Sequence, residues 1–461
     1  MASTSLSKSG QAGNQKTMTC SVWFKPSGAS GSENNLLYWK TDGSNFFKIK
    51  VPQGDDKMDI NNQAGSSNLA GIAAMTFGDI NAWYHLVVKI DTSQAVEADR
   101  FRAYVNGDEI TEWTSRTYPS QDTDLLFNKT SSTNYIGSDG SGDYFDGYMA
   151  QFVWVDGTAY APTTFGSTDA TTGEWKPKSD GEIRSAVTFG TNGFLLNFSN
   201  ASYLGYDYQT SDRSGTTNDY TVSGSGYKTL DNPSDNQPTL NRQVFKTGGV
   251  GYSYSNANQG LSFSASDWAL IPGTIGPGDS GKWYFEAKQT SLTAYAHMGF
   301  VTAANLNAGG FEGYFGQEGG NEPAYGLGEG GKIYYSTTSA NGQESSTDWE
   351  TFTSGDIIMC ALDLDNNFIY FGKNGTWGNS GDPTSGSTGT GGFAIDNPSG
   401  SLWLPAVAGY NCTWQTNFGA GYFDAAAVAS GNSDDGGLGT FEYDVPAGYR
   451  TICTKNIKTY G

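Results

Sequence analysis

Residues 83–109 read WYHLVVKIDTSQAVEADRFRAYVNGDE, and this stretch decides the fold class. Leu86, Val88 and Ile90 alternate along the first apolar run, and Phe101, Ala103 and Val105 alternate along the second. A period of two places each trio on one face, the pattern of a strand buried on one side. A polar bend separates the runs, and Asn106-Gly107 supplies the positive φ angles that a tight hairpin turn needs. The same layout returns at 356–375, DIIMCALDLDNNFIYFGKNG. There Ile358, Cys360, Leu362 and Leu364 share a face, Asn366-Asn367 bends the chain, and Asn374-Gly375 closes the unit. Two copies of one device, far apart in the chain, predict two separate sheet domains.

Working outward, 461 residues are too many for one ordinary core. Aromatics at 14%, 63 glycines and few long helical patterns predict an all-β chain of short strands and Gly-rich turns. A net charge of −21 repels phosphate backbones and anionic lipid, so nucleic acid is not an expected partner. No apolar run approaches the ~20 residues that span a bilayer, so no membrane insertion is expected. MASTSLSKSGQAGNQ lacks the apolar core of a secretory signal. Cys20, Cys360, Cys412 and Cys453 form no CxxC pair and are expected as buried free thiols in a chain made in a reducing cytoplasm.

Residues 1–170 read as strand after strand. TMTCSVWFKP (17–26) turns Met18, Cys20, Val22 and Phe24 inward, and Met149, Phe152 and Val153 break alternation, which predicts a bulge or a strand buried on both faces. Residues 171–245 are expected as edge strands and a linker, with Pro233 and Pro238 near its end. In the second domain, 246–420, GKWYFEAKQT places Trp283 and Phe285 on one face and Tyr284 and Glu286 on the other. Residues 421–461 form a C-terminal extension, with a short helix expected in DAAAVAS.

Several blocks carry resemblances. SVWFKP, WYHLVVKID, RAYVNGDEI, NYIGS and YFDGYMAQFVWVDGTAYAP, in that order, resemble laminin G-like jelly rolls of the concanavalin A type. GKWYFE, a GF strand, YGLGEGGKIYY, the DIIMCALDLDNN hairpin ending in KNG, and LPAV resemble the SPRY family, another concanavalin-type sandwich. SLSKSGQAGNQKTMTCSVWFKP at the start and VPAGYRTICTKN at the close resemble bacteriophage virion proteins that join the two jelly rolls. The fold these imply is two tandem concanavalin A-like β-sandwiches with a linker and a short C-terminal extension.

Catalytic constellations are sparse. His85 and His297 fall in different domains on strand patterns, and no GxSxG elbow exists. No Glu-x-Asp-x-Glu run marks a laminarinase-like pair of carboxylates, and Asp363 and Asp365 are expected to face solvent at a strand end. No cofactor is expected except calcium, for which Asp139, Asp143 and Asp146 in SDGSGDYFDG (138–147) are the candidate ligands. Sugar binding needs aromatic faces beside polar groups, which makes Asp143, Tyr144, Tyr314, Tyr325 and Trp377 the candidate glycan residues. The long small-residue loop 376–401 is expected to be functional or mobile.

The resemblance implies a non-enzymatic virion structural protein, made in the host cytoplasm and displayed as a capsid decoration, fibre or tail appendage. Its expected partners are other virion proteins, further copies of itself in a homo-oligomer (a trimer, as is common in phage appendages) and host-surface glycans bound with avidity. The alternatives are a purely structural virion component without glycan binding, a glycan-degrading enzyme, and, most remote, a cytosolic SPRY-type peptide-binding adaptor.

Overall fold

The computed structural model describes residues 4–28, 33–52, 57–213, 217–244, 251–265, 267–346 and 349–461. The chain divides into two compact units, Met1–Lys228 and Thr229–Gly461. Residues 171–228 therefore belong with the first unit, and 421–461 with the second. The sequence boundary at 245/246 falls outside the described residues.

The first unit is a sandwich of two antiparallel sheets. One runs, in spatial order, Trp113–Thr117, Ser66–Ala73, Asp59–Ala64, Asn45–Pro52, Glu33–Lys40, Thr133–Ile136, Ser5–Ser9 and Thr221–Ser223. The other runs Phe194–Leu196, Gly147–Asp156, Thr17–Pro26, Tyr84–Asp91, Phe101–Val105 and Asp108–Glu109. Their inner faces share one core, in which Met18, Cys20, Val22 and Phe24 meet Leu37, Phe47, Ile60 and Leu69. The expected bulge is present: Gly147–Asp156 shifts register against Thr17–Pro26 between Ala150 and Val153, with Gln151 at φ 44°.

Strand Tyr84–Asp91 corrects one expectation. Leu86, Val88 and Ile90 do face the core, as their period predicts, but the strand is buried on its other side as well. There Val87, with Val153 and Val155, lies under Phe165, Ile183, Val187 and Phe189 from the segment that follows the sandwich. That cover includes a helix, Asp180–Ala186, whose first turn is closed by a capping box between Ser179 and Glu182.

The second unit is built on two long strands, Lys282–Thr302 and Trp403–Asn417, which pair along most of their length. Lys282–Thr302 pairs with Ile357–Asp363 through residues 282–288 and with Ala324–Gly328 through residues 297–301. Register shifts at Gln289/Ser291 and Leu292/Tyr295 separate those halves. Trp283, Phe285 and Ala287 from one half and Ala296, Met298 and Phe300 from the other then enter a single core, so the sheet closes over itself as a sandwich. Ile358, Cys360, Leu362 and Leu364 line the same core.

The two hairpin units are alike down to their closing atoms. Asn106 and Gly107 have φ of 51° and 90°, and Asn374 and Gly375 have φ of 50° and 86°. Asn106 accepts the His85 N–H on Oδ1 at 2.8 Å and donates its own N–H to the His85 carbonyl at 2.9 Å. Asn374 treats Ile357 in the same way, at 2.9 Å and 2.9 Å.

The C-terminal stretch is part of the body of the second unit. Arg450–Thr451 lies parallel to Trp283–Tyr284, and Phe441, Tyr449, Ile452 and Cys453 are buried. DAAAVAS is not helical. Asp424, at φ 57°, turns the chain tightly enough for Tyr422–Phe423 to pair with Ala426–Ala427. All four cysteines are buried and free.

Candidate functional site

The Asp139 carboxylate is occupied in building its own loop. Asp139 Oδ1 accepts the backbone N–H groups of Ser141, Gly142 and Asp143 at 2.7, 3.1 and 3.3 Å. Its Oδ2 lies 3.6 Å from the Lys40 ammonium, which also donates to the Asp139 carbonyl and the Ser141 hydroxyl. Burial pushes the Asp139 carboxyl up, but these N–H groups and the Lys40 charge outweigh it and hold it below the usual range. The Asp146 backbone is bonded to Asn34 and Ser27, and the Asp143 carbonyl to Asn35. Among the described residues no group of three or more His, Cys, Asp or Glu is placed to hold a metal ion. Asp139, Asp143 and Asp146 are thus not placed together as a metal-holding group, and the cation beside Asp139 is the Lys40 ammonium. Tyr144 is half-buried on the same loop.

The three aromatic candidates of the second unit fall into three different clusters. Tyr325 is a correction: it sits on strand Ala324–Gly328 rather than a loop, with 0% exposure, packed against Tyr335, Phe393 and Trp403. Its hydroxyl accepts the Asp396 N–H at 2.8 Å. A ring held this way has no face for a sugar. Trp377 is half-buried against Tyr284 in a patch with Met359, Tyr370 and Phe441. Loop 376–401, expected to be functional or mobile, is anchored to the second unit. Tyr449 donates to the Pro383 carbonyl, and Asn397 bonds the carbonyls of Asp279 and Leu364 and the Trp403 indole.

Tyr314 is different, because it belongs to an aromatic platform on the outer face of the sheet. Tyr295 and His297 project from Lys282–Thr302 on the side opposite Ala296 and Met298, which face the core. Across the sheet, Tyr410 pairs with Tyr295, and Gly328 pairs with His297. The His297 ring stacks on Tyr334 with centroids 4.4 Å apart and meets Trp268 at 4.8 Å and Tyr314 at 5.2 Å. Trp268 in turn stacks with Tyr295 at 5.5 Å, and Tyr295 meets Tyr410 at 6.2 Å. Gly328 makes room for this arrangement: a Cβ there would lie 2.6 Å from the Tyr334 ring and 3.0 Å from His297. Tyr295 is 51% exposed, one of the few large apolar side chains so placed.

The platform has an acidic edge. Glu329 Oε2 accepts the Ala296 N–H at 3.0 Å and lies 4.0 Å from His297 Nε2. Burial raises the Glu329 carboxyl above its ordinary value against the pull of the Ala296 N–H. Burial also drives His297 down to about 3, so the imidazole is neutral at physiological pH. Its Nδ1 is buried with no hydrogen-bond partner. Glu344 is directly opposite Tyr334 on the neighbouring strand, and both it and Glu329 raise the Tyr334 hydroxyl after burial does.

Sequence reading found Tyr314 but missed Trp268, Tyr295, His297, Glu329, Tyr334 and Tyr410. The available signal was the alternation Tyr295-x-His297 beside Gly326-x-Gly328, a ring-bearing strand next to a strand stripped of side chains.

Among the described residues, the first unit brings a serine hydroxyl and a histidine within hydrogen-bond reach. Ser21 Oγ lies 2.8 Å from His85 Nε2, but the Trp175 indole donates to His85 Nδ1 at 2.9 Å. With Nδ1 accepting, the proton of a neutral imidazole sits on Nε2, so Nε2 donates to the serine and cannot take its proton. Burial keeps His85 neutral, pulling it to about 3. Asp363, expected at the surface, has 0% exposure; it is paired with Lys282 at 2.8 Å and caps the Asn366 turn, which leaves Asp365 as the exposed member.

Residues 3–162 match a family model described as the concanavalin A-like lectin/glucanases superfamily. Comparison with curated proteins gives no match. Among solved structures, the chain is similar to the SPRY domain of human HERC1 at 15% identity, covering 36% of this chain and 96% of that one with a TM-score of 0.27. It is similar to the PSpry domain of TRIM65 at 11% identity, 39% and 91% coverage and a TM-score of 0.28. Domain 4 of AbnA, a GH43 extracellular arabinanase from Geobacillus stearothermophilus in complex with arabinotriose, gives 15% identity, 33% and 65% coverage and a TM-score of 0.26. Scores this low carry no functional weight.

Proposed function

We propose that this chain is a non-enzymatic structural protein of a bacteriophage particle, displayed on its surface, whose second sandwich presents a rigid aromatic face to host-surface glycans. The observation that carries the glycan part is the half-exposed platform of Trp268, Tyr295, Tyr314, Tyr334 and Tyr410, with polar acceptors at its edge. Aromatic faces stack against the C–H faces of sugars, and fixed rings lose little entropy on binding. The concanavalin A-like match over 3–162 supports the same class of ligand. The particle assignment rests on the resemblance of the chain's two ends to virion proteins, and display in several copies would let weak contacts sum to avidity.

A glycan array and a host-cell adsorption assay on the purified chain test the adhesive role; binding in both is expected, and clean negatives would leave a purely structural component. Release of oligosaccharide from host polysaccharide would overturn the non-enzymatic assignment. Absence of the chain from purified particles would overturn the virion assignment.

A further inference from the structure

We infer that the platform around Tyr295 selects an ammonium-bearing sugar, a hexosamine with a free amine, over its N-acetylated or neutral counterparts. This deepens the glycan-binding reading and rests on it. Four observations point the same way. The rings of Tyr295, Tyr314 and Tyr334 present faces of the kind that attract cations, and no described lysine or arginine is placed over any of them, whereas Arg116, Arg213 and Arg450 each cap a ring elsewhere. The carboxylates beside the rings, Glu329 and Glu344, have no lysine or arginine partner in the described ion pairs. The basic side chain beneath them, His297, has 2% exposure and is neutral, so it does not balance Glu329.

The fourth observation concerns hydrogen bonding. Glu329 Oε2 is taken by the Ala296 N–H, while Oε1 has no described partner. The accepting groups at this edge are the Glu329 and Glu344 carboxylate oxygens, and a ligand that completes them brings donors. An ammonium has three donors and no acceptor, and it carries the charge that both the carboxylates and the ring faces favour. Lys332, just before the strand that carries Tyr334, directs its ammonium to the Ser346 carbonyl at 3.4 Å.

The test is isothermal titration of the full chain with glucosamine, N-acetylglucosamine and glucose oligomers, at a mildly acidic pH where the free amine is charged. The expected result is binding of the glucosamine oligomer about tenfold or more tighter than the other two. Glu329→Gln, whose amide oxygen can keep the Ala296 N–H, should remove that preference. Tyr295→Ala, at a half-exposed position, should weaken binding without unfolding the chain. Equal binding of all three oligomers would overturn the ammonium inference and leave the glycan reading standing. Binding that neither substitution changes, or glycan-array binding with none of these oligomers bound, would overturn the assignment to this platform. Failure of every glycan in both assays would remove both.

Discussion

Glu286 offers a quantitative test of what holds the C-terminal stretch to the second unit. Its carboxylate is buried and accepts the Tyr284 hydroxyl at 2.8 Å and the backbone N–H groups of Glu442 and Tyr443 at 2.9 Å each. Burial opposes ionisation and these donors favour it; burial wins, placing the carboxyl at about 7 against an ordinary 4.5. A folded-state value above the unfolded one means that the native state holds its proton more tightly. The resulting stability is fully present below 4.5 and is lost as pH rises through about 7. At 1.36 kcal/mol per pH unit, the loss is about 3 kcal/mol. Glu286→Gln cannot titrate. It also sets an amide NH₂ against one of the backbone N–H groups, a cost of ~1–3 kcal/mol at every pH. Urea unfolding of both proteins across this window, followed by tryptophan fluorescence, should show the stability of the parent relative to the variant falling by about 3 kcal/mol between acid and mildly alkaline pH. The first unit, which the substitution does not touch, serves as an internal reference. A difference that stays flat or rises with pH would mean that the three donors outweigh burial, refuting the reasoning.

Three further outcomes follow from the same structure. Asn374→Ala removes the acceptor of the Ile357 N–H, a 2.7 Å bond to Asp356 and a residue tolerant of positive φ, so it should destabilise the second unit by ~1–3 kcal/mol in urea unfolding; an unchanged midpoint would contradict the closing role. Gly328→Ala should leave the fold nearly as stable, because the Tyr334 ring is half-exposed and can yield, yet it should displace the Tyr334–His297 stack and weaken glycan binding. The four cysteines should resist a thiol reagent in the native chain and react when it is unfolded, since burial pushes Cys412 up to about 12 and Cys453 to about 11 and raises Cys20 and Cys360 as well. Rapid labelling of the folded protein would contradict their burial.

The scaffold was legible because it is written in period-two alternation and Asn-Gly turns, which act locally. Both hairpins and the inward trio Leu86, Val88 and Ile90 came from those signals alone, and the broken alternation at Met149, Phe152 and Val153 pointed to the bulge near Gln151 as one of two readings. What tertiary packing adds was not legible. Val87 has the alternation of a surface position until the 162–196 segment covers it; the Ser179-x-x-Glu182 capping box that starts the helix in that cover went unread in a segment expected as edge strands and linker. Tyr325 and Asp363 looked exposed because loop and strand-end positions usually are; both are buried by packing with parts distant in sequence, Tyr325 against Phe393 and Trp403 and Asp363 in an ion pair with Lys282. The platform escaped for the opposite reason. Its rings come from strands and loops spread over residues 268–410, and singly they read as ordinary scaffold aromatics.

The central claim is that an aromatic surface on the second sandwich binds host glycans, and Tyr295 tests it most directly. The wild-type chain and Tyr295→Ala should be compared by adsorption to host cells and by titration with the glycans those cells display. The account predicts wild-type binding and a loss of about tenfold or more in the variant, whose fold is unchanged by circular dichroism. Equal binding by the two proteins, or no binding by the wild type, would contradict it.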